Sequence, residues 1–317
     1  MGLSDDGVEE TLYAVHESTL TSTSFHAEWS KYDLDNGVFK WRKQYDSDVG
    51  QAVGRGSVRT NYGPSDVYLV EGVGSLWREE LVDGYSYGAN PEGWETGKPM
   101  WQNEIQPLFE AGDWSAPERL NHDRPAVWEV STNSVADPSA VIGYYDGETV
   151  ALSGTLRVDE RGFFREVEAT ASVREDEARG GAVHEFETEF AVDSVGEVTV
   201  SEPSWVATVR ERRPKVTASL ADGDRYVELS LTGGNRIEPN SWVAVWDESV
   251  GGSYNLTLDE PIESGETVYL YRAEPDASTS LRISRGGKPS TPPTREFTNP
   301  VDVWARRTTL LYFKESL

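Results

Sequence analysis

Residues 149–159 (TVALSGTLRVD), 163–173 (FFREVEATASV) and 182–192 (AVHEFETEFAV) are three successive β-rich runs, and their reading decides the fold. Residues 197–200 follow as a fourth expected strand, and 126–131 and 139–145 precede them. Further back, alternating segments at 24–32, 38–44, 56–60, 67–70 and 75–82 are separated by Asp35-Asn36-Gly37, Asn61-Tyr62-Gly63-Pro64 and Val82-Asp83-Gly84, which is turn chemistry. No regular βαβ alternation appears, so the pattern predicts an α+β domain built on a long antiparallel sheet.

Two helices are expected beside it. From Val8 to Leu20, apolar residues at Val8, Leu12, Val15 and Leu20 approximate a helical stripe behind an Asp5/Asp6 cap. From Met100 to Glu110, one helical face carries Trp101, Ile105, Leu108 and Phe109, with Pro107 shortening or kinking the element.

The charged stretch Arg210–Lys215, punctuated by Pro214, marks a change of character, and it divides the chain into domains at 1–213 and 214–317. The second domain offers seven short strands at 215–220, 225–231, 241–247, 254–258, 267–272, 279–284 and 308–313. Glycine-bearing turns recur between them, a spacing that predicts a small β-sandwich, immunoglobulin-like in architecture. The proline-rich run 289–300 reads as a surface loop.

Composition speaks about solvent and excludes partners. The 317 residues hold 55 acidic and 29 basic side chains, a net charge of −26, and no cysteine. The acids are scattered, as suits a protein in strong salt, where a Debye length of about 3 Å at 1 M screens self-repulsion. Nucleic acid binding needs a basic stripe, and nothing here exceeds Arg210-Glu211-Arg212-Arg213. An anionic lipid surface is excluded by the same argument, and no apolar run approaches the ~18 residues a spanning helix needs. The opening Met1–Asp6 has neither the basic nor the apolar region of a secretory signal. Taken literally this predicts a cytoplasmic chain, and an exported one where a leader has been cut away. The sequon Asn255-Leu256-Thr257 favours export.

Residues 151–167, His184–Phe190 and Gly196–Val206 resemble the closing strands of haloarchaeal surface lipoproteins, which are similar to the LolA/LppX group of lipoprotein and lipid carriers. The opening helix, the early strands and Leu108–Trp114 sit where that pattern would have them, so the resemblance covers about residues 8–207. It implies a curved half-barrel with helices on its concave face and a hydrophobic cavity between them. The cavity candidates are then Trp101, Ile105, Leu108 and Phe109 from the helix and Trp29, Trp41, Trp77 and Trp128 from strands, although large aromatics are usually plain core. The resemblance further implies a place on the outer face of the cell membrane and a hydrophobic or lipid-like ligand. The lipid-anchor cysteine and the bacterial carrier's arginine-proline signature are both missing from this chain. Membrane attachment is therefore expected only through an anchor outside it.

No catalytic pattern stands out, so no enzyme, metal or cofactor is expected. The four histidines (His16, His26, His122, His184) lie far apart, and His122-Asp123 reads as a solvated pair. Neither Gly56-Ser57 nor Gly74-Ser75 completes a nucleophile elbow, and the Gly50–Gly56 stretch lacks the Lys-Ser/Thr that grips phosphate. The acidic loops 5–10 and 175–177 lack EF-hand spacing, and with 55 acids some carboxylate pair always falls at a hydrolase-like separation. Against the carrier stands a structural or adhesive envelope module that contacts other envelope proteins. A third reading is a sugar platform, because a strand over 241–247 places Trp242 and Trp246 on one face with Ala244.

Overall fold

The computed structural model describes residues 2–4, 7–9, 11–35, 38–60, 63–71, 73–81, 84–90, 102–121, 124–140, 147–247, 252–272, 281–290, 293, 296–297, 301–307 and 310–317. Trp101, His122, Asp123 and residues 141–145 of the strand expected at 139–145 lie outside them; Ser139 and Ala140 form a turn. The chain forms two compact units, one of residues 1–64, 69–71 and 94–201, the other of 65–68, 72–93 and 202–317.

The first unit opens with the short pair β1 (Leu3–Ser4) and β2 (Gly7–Val8) and helix α1 (Leu12–Leu20). Strands β3 (Phe25–Asp33), β4 (Val38–Asp48) and β5 (Val53–Thr60) follow, then β6 (Gly63–Val70), whose residues divide between the units. The second unit takes β7 (Gly74–Leu81) and β8 (Gly84–Asn90), and the first resumes with α2 (Gln102–Ala111), β9 (Glu118–Arg119), β10 (Val127–Thr132), β11 (Gly147–Asp159), β12 (Phe164–Glu175) and β13 (Val183–Asp193). Its strands run β5-β4-β3-β13-β12-β11-β10-β9, antiparallel throughout, in a large curved sheet.

Period-two patterning sets the faces of that sheet. Along β13, Phe186, Thr188, Phe190 and Val192 are buried while Glu185, Glu187, Glu189 and Ala191 are exposed, the alternation expected when one face is covered. Register carries the covered face across the strands: Trp29, Phe190, Val167, Leu156 and Val130 pair in one buried row over five of them. A register shift at Arg157/Val158 sets Phe164 opposite Val158, both fully buried. Helices α1 and α2 cover this face with Leu12, His16 and Leu20, spaced i, i+4 and i+8, and with Ile105, Leu108 and Phe109, spaced i, i+3 and i+4.

The second unit adds α3 (Trp205–Arg212), β14 (Lys215–Ala221), β15 (Tyr226–Gly233), β16 (Trp242–Asp247), β17 (Gly252–Thr257), β18 (Thr267–Arg272), β19 (Leu281–Arg285), β20 (Val301–Arg307) and β21 (Leu310–Ser316). These strands make two four-stranded antiparallel sheets, β14-β15-β18-β19 and β17-β16-β20-β21. Both contribute to one core, with Val227, Leu229 and Leu270 from the first and Val243, Val245 and Val303 from the second.

Several expectations change. The strand expected at 197–200 is a loop, whose Val200 N–H donates to buried Asp48 instead of to a neighbouring strand. Val8 belongs to β2 rather than to α1. Among the described residues, the unforeseen elements are the two-residue strands β1, β2 and β9, the longer strands β8 and β20, and the helix α3. The run Val301, Val303, Ala305 carried a period-two signal for β20, whereas α3 has only Val206 and Val209 fully buried and runs into the charged stretch Arg210–Lys215 that marks the domain boundary in the sequence.

Candidate functional site

A cleft of about 630 Å3 lies between α1 and α2, bounded by Val8, Glu9, Tyr13, Ala14, Gln106, Phe109, Glu110, Gly112 and Asp137. Its floor is aromatic. Phe109 stacks on Phe164 at 4.4 Å between ring centroids, Tyr13 lies 6.2 Å from Phe109, and Trp114 lies 6.1 Å from it. The Trp114 indole N–H donates to the Phe109 carbonyl at 3.2 Å, which ties the segment after α2 back to the helix. At the mouth stand three carboxylates, Glu9, Glu110 and Asp137, and no lysine or arginine lines the cleft among the described residues.

Two polar atoms beneath it are buried without a hydrogen-bond partner among the described residues: the Tyr13 hydroxyl and Nε2 of His16. His16 is wholly inside, its Nδ1 accepting from the Phe164 backbone N–H at 3.1 Å, and burial lowers its pKa from 6.5 to about 3. Burial, with Glu17 adding to it, pushes the Tyr13 phenol above the ordinary tyrosine range. Both groups are therefore neutral at pH 7.

The sequence-derived cavity residues separate. Ile105 and Leu108 are packed under α2 at 0 % and 1 % exposure, and Phe109 forms cleft wall. Trp29 and Trp41 meet edge to face at 5.3 Å on the covered side of β3 and β4, with Lys43 Nζ 4.5 Å from the Trp29 ring and Lys31 Nζ 4.4 Å from the Phe186 ring. Trp128 is half-buried on β10 under the Arg119 guanidinium. Trp77 lies in the second unit, packed on that unit's core with its indole N–H donating to Ser75 Oγ at 2.7 Å, so it is no part of this cleft. Tyr13, His16 and Trp114 were not among the candidates; the spacing Leu12, His16, Leu20 was the available signal for His16, and its polarity concealed it.

In the second unit, Val243 and Val245 point into the core, and Trp242 and Trp246 lie on the opposite side of β16. Among the described residues, no group of three or more His, Asp or Glu side chains is placed to hold a metal, and no helix is long and apolar enough to cross a membrane.

No family model matches the sequence, and no curated protein does. Among solved structures, the chain is similar to the Mycobacterium tuberculosis lipoprotein LppX, at 11% identity and TM-score 0.32 over 61% of this chain and 98% of that one. It is similar to LprF from Mycobacterium bovis at 10% identity and TM-score 0.34, over 61% and 96% of the respective chains. It is also similar to a chain of the Pseudomonas aeruginosa MucA/MucB complex at 13% identity and TM-score 0.28, over 86% and 90%.

Proposed function

We propose that this chain is a non-catalytic protein of the outer cell surface, adapted to strong salt, that holds a hydrophobic or lipid-like ligand in the cleft between α1 and α2. The cleft carries the reading. Its volume of about 630 Å3 falls inside the range of roughly 300–1,000 Å3 typical of small-molecule sites, and Val8, Tyr13, Ala14 and Phe109 give it apolar walls. Sequestration is then a transfer of apolar surface out of water, worth roughly 25 cal/mol per Å2, and salting-out salts strengthen it. The acidic rim selects the polar end: a carboxylate or phosphate headgroup would meet Glu9, Glu110 and Asp137 without a compensating cation, so the ligand is a neutral or cationic amphiphile. The second unit, immunoglobulin-like in this reading, makes contacts outside the cell.

The test is mass spectrometry of an organic extract of the purified chain, followed by titration with a monoacylglycerol and with the fatty acid of the same chain length. Stoichiometric lipid, and a monoacylglycerol held more tightly than the acid, is the expected result. Ala14 is exposed at the mouth, so Ala14→Trp should obstruct uptake while leaving the fold intact. An extract free of lipid, together with no uptake by the native chain, would defeat the reading.

A second reading draws on the packing under α2. Ile105 at 0 % and Leu108 at 1 % exposure leave no space around them, as in a structural or adhesive envelope module that fills its own half-barrel.

A further inference from the structure

We infer that the outer face of the sheet β17-β16-β20-β21 binds an acidic glycan, with Trp246 as the stacking surface and Arg306 as the carboxylate-binding group. With Val243, Val245, Val303 and Ala305 turned into the core, the alternate residues of β16 and β20 face outward. Register then places Trp242 beside Arg306, Ala244 beside Trp304, and Trp246 beside Asp302. Three indoles are thereby gathered on one sheet face.

Their roles differ. Trp246 is 39 % exposed, against core tryptophans such as Trp29 at 1 %. An exposed indole flanked by polar groups offers a flat apolar surface to the C–H face of a pyranose, with hydrogen-bonding neighbours for its hydroxyls. Trp242 is braced edge to face by Trp304 at 6.4 Å, and the Arg306 guanidinium lies over its ring at 4.3 Å. Stacking in this way fixes the guanidinium plane and leaves its N–H edge free for bidentate capture of a carboxylate.

Charge decides between a neutral and an acidic sugar. Asp302 is already engaged by Lys314 Nζ at 3.4 Å and Ser316 Oγ at 2.6 Å, whereas no carboxylate pairs with Arg306 among the described residues. In a chain with 55 acids and 29 bases, an exposed arginine held on an indole rather than on a carboxylate is a cation available to an anionic ligand. Arg306 and Trp246 stand four residues apart along paired strands, about 14 Å at ~3.4 Å per residue, which is the reach of an oligosaccharide rather than of one sugar.

The experiment is calorimetric titration of the full chain, made in a bacterium so that Asn255 is bare, with tetragalacturonate and with cellotetraose. Salt near 1 M limits repulsion by the net charge to about 3 Å. Expected are saturable binding of tetragalacturonate at least tenfold tighter than of cellotetraose, tenfold or greater weakening in Trp246→Ala, and loss of the acidic preference in Arg306→Gln. Both side chains are exposed, so an unchanged melting temperature confirms that each variant is folded. Absence of binding to either sugar, equal affinity for the two, indifference to either substitution, or a dimer that Trp246→Ala dissociates would each overturn the inference.

Discussion

The backbone N–H of Phe164 donates to Nδ1 of His16 at 3.1 Å, and the two rings stack with centroids 3.9 Å apart. The bond fixes the tautomer with the proton on Nε2, so the ring is neutral inside an apolar layer. Burial holds its folded pKa at about 3, against 6.5 when exposed. Between those values the unfolded chain binds a proton that the folded chain does not, so stability rises with pH across this window and is lost as pH falls from 6.5 toward 3. The slope from this one group is ~1.4 kcal/mol per pH unit. His16→Gln keeps an acceptor for the Phe164 N–H without a titrating group. Urea unfolding at pH 7, 5.5 and 4 should show a less stable variant at pH 7 whose losses toward acid are smaller. Parallel curves for the two proteins would exclude His16 as the acid-sensitive group.

His26 works in the opposite sense. Its Nδ1 lies 2.6 Å from Asp46 Oδ1, and this hydrogen bond raises its pKa above 6.5, partly offset by burial. A raised folded value means that the contribution is complete below 6.5 and disappears as pH rises through the folded pKa. The Asp46 carboxyl is held low, chiefly by the same hydrogen bond, and its own contribution is lost only as pH falls through its folded pKa, below 3.8. His26→Gln should therefore cost up to ~1 kcal/mol near pH 6 and almost nothing at pH 9. A penalty independent of pH would show that packing, not charge, is what His26 supplies.

The β11–β12 connection depends on Asp159. Its fully buried carboxylate accepts the Arg161 backbone N–H at 2.8 Å and the Arg161 side chain at 3.0 and 2.7 Å. Arg165 adds a fourth donor group at 3.5 Å. Asp159→Ala removes these acceptors and should cost about 2 kcal/mol, with Asp159→Asn retaining part of the difference. Thermal melts of the two variants check the order; equal midpoints for native chain and Asp159→Ala would mean that the backbone alone closes the turn.

Much of the sheet was legible because its strands obey a simple rule: the Phe186, Thr188, Phe190, Val192 alternation announces both a strand and its covered face. The strand β8 was not, since Gly84–Asn90 (GYSYGAN) carries two glycines and resembles a turn until a neighbouring strand pairs with it. At the candidate cleft, α2 supplied Ile105, Leu108 and Phe109 by periodicity, whereas Tyr13 and His16 look polar in sequence and become apolar-packed only through tertiary contact with Phe164 and Phe109. The tryptophans spread out for a related reason. Indoles mark burial without saying which core buries them, so Trp29 and Trp77 looked alike although they lie in separate units.

Phe109 connects stability with the proposed ligand. It is 8 % exposed, stacks on Phe164 and walls the cleft, so truncation opens space at the cleft floor. Loss of a buried phenylalanine costs about 3–5 kcal/mol, and the lower end is expected because the cleft already admits solvent on one side. A carrier should also change what it carries: loaded from a mixture of monoacylglycerols, Phe109→Ala should retain longer chains than the native protein, read by mass spectrometry of the extract. A structural module predicts the stability loss by itself. If unfolding shows the penalty and the extracts of native and variant protein are identical, the cleft is not where a chain resides, and a structural module packed beneath its helices becomes the better account of this unit.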